Sequence, residues 1–371
     1  MKICFVGLEN LPVLAPEYRQ HYIGGEEVQQ TLLGRALARR GHDVSMVVGD
    51  YGQPDGEKWD GIATYKAYPF SAGLPVIRFV YPRWTGMWSA LRRADADIYY
   101  TSCAGMHVGL LATFCRRYGK RLVFRAASDA DCDPAKLMIR YARDRWLYAY
   151  GLARADAVLV QSAWQQEAMR NNYLQPSRMA GMLVDQPGEL GHRPIDLLWV
   201  SNIRQVKRPD RLIDLAAQLP AVKLHIVGGT VAGEEELYER IKEKAHALRN
   251  LTFHGRLPYQ DTCALYEKAC VLVNTSDVEG FPNSYLQAWI RGVPVVTYLD
   301  SDGVIRREEL GVVVDTPESM RDAVRSLLED PGHLKEMSAR CRAFMVREYG
   351  EERILSVYLD AFAEVARSGR S

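Results

Sequence analysis

The feature that most constrains this chain is an alternation running from one end to the other. Short apolar, β-rich runs recur with longer helix-patterned stretches between them, the arrangement that builds parallel sheets covered by helices. The predicted strands fall in two series: 3–7, 44–48, 62–67, 98–102, 122–125 and 158–161, then 197–200, 224–227, 251–253, 271–274, 295–298 and 312–314. Between the series, residues 185–194 read Asp-Gln-Pro-Gly-Glu-Leu-Gly-His-Arg-Pro, polar and rich in Pro and Gly in the manner of an interdomain linker. The chain is therefore expected to be α/β, with two Rossmann-like domains, 1–186 and 187–371, facing across a cleft at the carboxyl ends of their strands.

Over 26–40, Val28, Leu32, Leu33, Ala36 and Leu37 share one helical face while Arg35, Arg39 and Arg40 avoid it, and Gly41 suits the left-handed residue that closes a helix. Residues 342–367 are also helical in pattern. At 371 residues and 47% hydrophobic content the chain can bury two full cores. A charged fraction of 25% and a net charge of +1 exclude a disordered chain and an overall basic nucleic-acid binder. That balance hides an asymmetry. Residues 1–186 carry 23 Lys+Arg against 18 Asp+Glu and the remainder 24 against 28, so the first half suits an anionic partner or surface.

Residues 78–145 alone hold 13 basic against 6 acidic side chains, with Phe79, Tyr81, Trp84, Trp88 and Trp146 in or beside them. Such a surface would let the protein rest peripherally on anionic headgroups at the inner face of a membrane; core aromatics beside solvated arginines are the alternative. The seven cysteines occur singly, as in a reduced cytoplasmic protein. The apolar start ends at Glu9, too short for a secretion signal, and no later run approaches the roughly 18 apolar residues of a membrane span.

Which ligand the cleft takes is narrowed first by exclusion. Gly7 is followed by Leu8-Glu-Asn-Leu-Pro without the further glycines of a dinucleotide turn, and there is no Walker A loop. The strongest local signal begins Asn274-Thr-Ser-Asp-Val-Glu279-Gly280-Phe281-Pro282-Asn283-Ser284 and reads as strand, loop and helix, with Asn283 or Ser284 able to cap the helix and Gly292-Val-Pro294 to stop it. A helix N-terminus opening on the cleft is a ready diphosphate site, and Glu279 and Phe281 stand on the loop before it. The second signal is Trp199-Val-Ser-Asn202-Ile-Arg204-Gln-Val-Lys207-Arg-Pro209, where Lys207 and Arg204 can neutralise a leaving diphosphate without a metal. His21, His107, His192, His225 and His254 are scattered singly and are assigned no catalytic role; Tyr22 and Met106 read as packing residues.

These stretches resemble the retaining glycosyltransferases of family 4, also called group 1, with the GT-B fold. Gly24-Gly25-Glu26-Glu27, with the helix closing Arg40-Gly-His-Asp-Val44, resembles the family's glycine-rich start and G-H-x-V close. Leu224-His-Ile-Val-Gly228, Phe253-His-Gly255 and Glu279-Gly-Phe281 match further family blocks in order, from about residue 2 to about 350. The resemblance implies a retaining, metal-independent glycosyltransferase without a cofactor, donor on the C-terminal domain and acceptor on the N-terminal one, the last helix packing back on the N-domain. Its donor would be a nucleotide-diphosphate-sugar and its acceptor a glycan or lipid-linked molecule, in polysaccharide or glycoconjugate synthesis. Lys207 and Glu279 are then the expected catalytic pair, and Arg204, Asn202, Gly24, Gly25, Gly280, Phe281, Pro282, Asn283 and Gln287 the donor contacts.

There are departures. The second acid of the family's E-x7-E element is Gln287, an Arg often found five residues before the Lys is Asn202, and where many members carry a His this chain has Arg125-Ala-Ala-Ser128-Asp129, putting Ser128 and Asp129 forward on the acceptor side. The run Asp129-Ala-Asp131-Cys-Asp133 would also serve as a metal-binding D-x-D, but that chemistry goes with a different glycosyltransferase fold, so no metal is assigned. A sugar-nucleotide-binding or assembly subunit without turnover, a phosphorylase and an epimerase remain alternative readings.

Overall fold

The computed structural model describes residues 1–18, 24–74, 77–188 and 191–367; His21 and Tyr22 lie outside them. Two compact units result, one of Met1–Leu183 with the residues from Glu351 onward, the other Val184–Gly350.

The first unit is built on β1 (Lys2–Val6), β2 (Asp43–Val48), β3 (Lys58–Trp59), β4 (Ile62–Lys66), β5 (Ile98–Ser102), β6 (Arg121–Arg125), β7 (Ala157–Val160) and β8 (Arg178–Met179). They form one sheet in the order β3-β4-β2-β1-β5-β6-β7-β8. Among the described residues only β3 runs antiparallel, to β4. β1 is central, with Ile3 opposite Val44 on one side and Ile98 on the other. Covered on both faces, it reads as the continuous apolar run Ile3-Cys-Phe-Val6, all buried.

The second unit carries β9 (Ile195–Val200), β10 (Leu224–Val227), β11 (Leu251–Gly255), β12 (Ala269–Asn274), β13 (Val295–Thr297) and β14 (Gly311–Val313), in the order β11-β10-β9-β12-β13-β14. All its pairings are parallel. Both sheets are thus doubly wound: strand order reverses beside the first strand of each, between β1 and β5 and between β9 and β12.

All twelve predicted strands are present, within two residues at each end. The helix Gly25–Arg39 closes as its sequence suggests: Gly41 is left-handed at φ +79. Its N–H donates to Ala38 O at 2.9 Å and that of His42 to Leu37 O at 3.2 Å, the paired bonds of a Schellman close. The tail differs from expectation. It is two helices, Pro331–Glu348 and Glu351–Arg367, parted at Tyr349-Gly350. The second lies on the first unit, where Tyr358 donates to Gly181 O at 3.0 Å, Glu364 pairs with Arg178 at 2.6 Å and Glu351 with Arg39 at 3.1 Å.

The units divide at 183/184 rather than 186/187, because Leu183 is still buried in the first unit with its carbonyl accepting from Gln29 Nε2 at 2.9 Å. Arg193, in the linker, already donates to the second unit's Gly292 O at 2.9 Å. All seven cysteines are free thiols, and burial pushes that of Cys4 up to about 12. Among the described residues no helix is long and apolar enough to cross a membrane.

Candidate active site

In the second unit the reversal between β9 and β12 brings two distant loops together. β9 runs out through Ser201 and Asn202 to the short 3-10 turn Gln205–Lys207, and β10 leaves so close by that a Cβ on Gly228 would stand 1.8 Å from Ser201 O. β12 runs out through Asn274 to Glu279. The loops are fastened: Thr275 Oγ1 donates to Lys207 O at 2.8 Å and accepts from the buried Trp199 indole at 2.9 Å, and Asp277 N donates to Val206 O at 2.9 Å. Arg211 adds a bond to Thr275 O at 3.0 Å and an ion pair with Asp277 at 2.8 Å.

Held this way, Lys207 Nζ meets Glu279 Oε2 at 2.6 Å, both side chains mostly covered. Glu279 Oε1 accepts from Ser276 Oγ at 2.7 Å and Asn274 Nδ2 at 3.3 Å, which fixes the carboxylate with one edge on the cation. Asn202 and Arg204 are half-buried on the same β9 loop, and Arg204 opens the 3-10 turn.

The helix after this loop is Asn283–Ile290. The expected cap at Asn283 or Ser284 is not made: Pro282 occupies the N-cap and offers no side-chain acceptor, so Asn283 and Ser284 are the first helical residues. Ser301 Oγ donates to Gly280 O at 2.8 Å, and the Phe281 ring lies 6.2 Å from that of Trp289 and 6.1 Å from that of Tyr349, anchoring the loop to the core. Gly292 ends the helix in the left-handed region at φ +65. Gln287 is buried; its Nε2 donates to Tyr259 OH at 2.8 Å and its Oε1 accepts from Arg291 at 2.8 Å. Its amide is thus engaged by protein groups at both ends.

The first unit places a cavity of about 250 Å3 at its own reversal, between Gly7–Asn10 after β1 and Ser102–His107 after β5, with Glu26, Glu27 and Gln30 from the helix Gly25–Arg39 on its wall. Asn10 Nδ2 donates to Gln30 Oε1 at 2.9 Å and Gln30 Nε2 to Ser102 Oγ at 2.5 Å, tying the helix to both loops. Burial pushes Glu27 up to about 7, helped by the charges of Glu9 and Glu26, and burial also raises Glu9. His107, whose Nε2 lies 3.1 Å from Ser102 O, is pushed below its ordinary value by burial. A carboxyl that titrates near neutrality can give or take a proton from a bound hydroxyl. Behind the wall, Arg125 is fully buried and holds Glu26 through an ion pair of 2.8 Å.

Gly24 and Gly25 begin that helix, Gly24 as its N-cap at φ −101, a region open to any residue. Ser128 and Asp129 follow β6 and do not line the cavity; Asp129 accepts from Gln165 at 3.0 Å. The Asp131 carboxylate is occupied by the N–H groups of Ala104, Ala127 and Ser128 at 3.2, 2.8 and 3.1 Å. Among the described residues no three His, Cys, Asp or Glu side chains are grouped to hold a metal. Met106 and His107 both line the cavity. Sequence reasoning missed Glu9, Glu27, Arg83 and His107 as a group; only Glu9 and His107, which follow β1 and β5, had strand-end positions as a usable signal.

Two doubly wound parallel sheets define a GT-B chain, and solved structures agree. The chain superposes on sucrose-phosphate synthase from Thermosynechococcus elongatus with a TM-score of 0.74 at 19% identity, covering 98% of this chain and 99% of that one. It also superposes on Anabaena HepE, solved with UDP and glucose, with a TM-score of 0.74 at 14% identity and coverage of 98% and 99%. Residues 24–181 match the glycosyl transferase 4-like domain and residues 185–344 match glycosyl transferases group 1. The chain belongs to the group 1 glycosyl transferase family.

Relatives include alpha-galactosylglucosyldiacylglycerol synthase of Streptococcus pneumoniae, 28% identical over 177 residues that cover 47% of each chain. Another is the lipopolysaccharide core biosynthesis glycosyltransferase LpsE of Rhizobium meliloti, 28% identical over 162 residues covering 41% of this chain and 45% of that one. The chain thus spans about half the length of the curated relatives it matches.

Proposed function

We propose that the protein is a retaining, metal-independent glycosyltransferase that moves a sugar from a nucleotide-diphosphate-sugar to a glycan or lipid-linked acceptor. The observation that carries this is the Lys207–Glu279 pair, 2.6 Å apart at the strand-order reversal of the second unit and beside the start of the helix Asn283–Ile290. As the bond from the anomeric carbon to the diphosphate breaks, negative charge gathers on the departing phosphate oxygen. Lys207, Arg204 and the helix N-terminus supply the compensating charge that a divalent ion supplies elsewhere. A diphosphate offered to Lys207 replaces Glu279 as its anion and releases Oε2 to accept from a sugar hydroxyl. Gly280, Phe281, Pro282 and Asn283 shape the donor loop.

The similarity to a diacylglycerol glycoside synthase and to a lipopolysaccharide glycosyltransferase supports an acceptor of lipid or polysaccharide synthesis. So does the surface of the first unit, where Leu74, Ile77, Val80, Tyr81 and Trp146, within or flanking the basic stretch 78–145, are each more than half exposed. Trp84 and Trp88, by contrast, pack with the core of that unit. Peripheral contact of a cytoplasmic protein with anionic lipid follows, and sedimentation with anionic vesicles at low salt tests it.

The function itself is tested by release of nucleoside diphosphate from a panel of nucleotide sugars in excess EDTA, with and without glycan and glycolipid acceptors. Acceptor-dependent release without metal is expected; complete loss restored by magnesium or manganese overturns metal independence. One observation favours a second reading. Gln287 stands where the family carries an acid and is already held by Tyr259 and Arg291. Tight nucleotide binding with no turnover on any acceptor would make the chain a binding or assembly subunit.

A further inference from the structure

We propose that the acceptor is a phosphorylated sugar, its hydroxyls held in the cavity walled by Glu9, Glu27, Gln30 and His107 and its phosphate held next door by Arg78, Arg83 and Arg143. This rests on the glycosyltransferase reading and narrows its acceptor. A second cavity of the first unit, about 390 Å3, is lined by Arg78, Phe79, Arg83, Tyr141, Arg143 and Asp144. Arg83 lines both cavities, so the two share a wall.

Their chemistry is opposite. The cavity at the β1/β5 reversal offers carboxyls, amides and an imidazole, the groups that bind sugar hydroxyls, and its three acids, Glu9, Glu26 and Glu27, disfavour an anion. The neighbouring one sets three guanidinium groups against a single carboxylate, an excess of two positive charges that matches a phosphate monoester or a diphosphate.

These arginines are also uncommitted. Among the described residues Arg78 and Arg83 make no side-chain hydrogen bond or ion pair, whereas Arg35, Arg93 and Arg121 on the same unit each hold an aspartate. Arg143 spends Nε on Asp144 at 2.8 Å, its terminal nitrogens meet no hydrogen-bond acceptor among the described residues, and its guanidinium is stacked 3.4 Å from the Phe79 ring centroid. Stacking fixes the plane of the fork while its donors stay available, which suits recognition of a phosphate. A ligand spanning both cavities lies with its phosphate at the arginines and its hydroxyls at Glu27; the reverse orientation would put the anion among the three acids.

The test is binding to the full-length protein followed by tryptophan fluorescence or calorimetry. Probes are hexose monophosphates and their parent hexoses, and vesicles of phosphatidylcholine with and without phosphatidylglycerol. Nucleoside diphosphate binding by the same preparation reports separately on the glycosyltransferase reading. At least one hexose phosphate is expected to bind about tenfold or more tighter than its hexose, since a charge-assisted contact is worth roughly that factor. The triple variant Arg78→Gln/Arg83→Gln/Arg143→Gln should abolish the difference.

Arg83→Gln alone should remove most of it, with thermal melts showing both variants folded, while Arg116→Gln/Arg117→Gln, away from both cavities, should not. If free hexose phosphates do not bind but anionic-vesicle binding is lost in the triple variant, the same arginines hold a lipid-borne phosphate. Equal binding of hexoses and hexose phosphates without such vesicle binding, or equal loss in the Arg116/Arg117 variant, overturns the proposal even where nucleoside diphosphate binds. Loss of nucleoside diphosphate binding by the wild type would instead sink the glycosyltransferase reading.

Discussion

The reversal between β9 and β12 and the reversal between β1 and β5 occupy the same topological place in two sheets of one kind, yet they end in different chemistry. In the second unit the loops close on each other, fastened through Thr275 and Asp277, and bring one cation onto one acid. In the first they stand apart around a cavity walled by three acids, an imidazole and a hydrogen-bonded chain running Asn10, Gln30 and Ser102. Sheet topology decides where a ligand can approach; the loop residues decide what it can be. Each unit also has an ion pair in or beside its reversal, but with different surroundings. The difference lies in the cation: Arg125 is fully buried behind Glu26, whereas Lys207 keeps a partial path to water.

That contrast predicts different costs. Removing Glu26 leaves the Arg125 guanidinium buried without its anion, so Glu26→Ala should lose about 3–5 kcal/mol in urea unfolding. Glu279→Ala should lose only about 1 kcal/mol, because Lys207 can turn to solvent. Equal losses would erase the distinction between a structural and a functional pair. In steady-state transfer kinetics the second pair dominates: Lys207→Ala and Glu279→Ala should each lower turnover about a hundredfold, ~3 kcal/mol of transition-state stabilisation. Unchanged turnover in folded Glu279→Ala would remove the second reversal from the chemistry.

Gln287→Ala strands the Tyr259 hydroxyl and Arg291 and should cost about 1–3 kcal/mol in thermal or urea unfolding, beside any rise in donor KM. The last effect is read against pH and concerns Glu27. Folding raises its carboxyl from the ordinary 4.5 to about 7, so between those values the folded state holds the extra proton and wild-type stability falls as pH rises; above about 7 both states are ionised and the slope vanishes. Glutamine does not titrate, so melts of Glu27→Gln should gain on the wild type through that window and then run parallel. A difference independent of pH would mean that Glu27 is not the buried acid of the first cavity.

The strands were legible because a strand covered on both faces must be apolar throughout, as in β1 and β12; the two-residue strands β3 and β8 carry no such signal. Lys207 and Glu279 were legible for a related reason: each follows a strand end in a polar loop, and the doubly wound order makes those ends neighbours. The surroundings of Gln287 were not. Its spacing suggests a donor contact, but which groups its amide meets depends on Tyr259 from another helix and on Arg291 one turn later. The first cavity was hidden because Glu9, Glu27, Arg83 and His107 come from four separate stretches, each ordinary when read alone. The helix cap was misjudged because Pro282 takes the N-cap and leaves Asn283 inside the helix.

The central claim is that the two reversals divide the labour, with the nucleoside diphosphate taken by the second. Hydrogen–deuterium exchange on the full-length chain, with and without saturating nucleoside diphosphate from a panel of bases, tests it most directly. The donor assignment predicts slowed exchange concentrated in residues 201–208 and 274–284, with far smaller changes in 7–10 and 102–107. Protection concentrated in 7–10 and 102–107, with 201–208 and 274–284 unaltered, would contradict it.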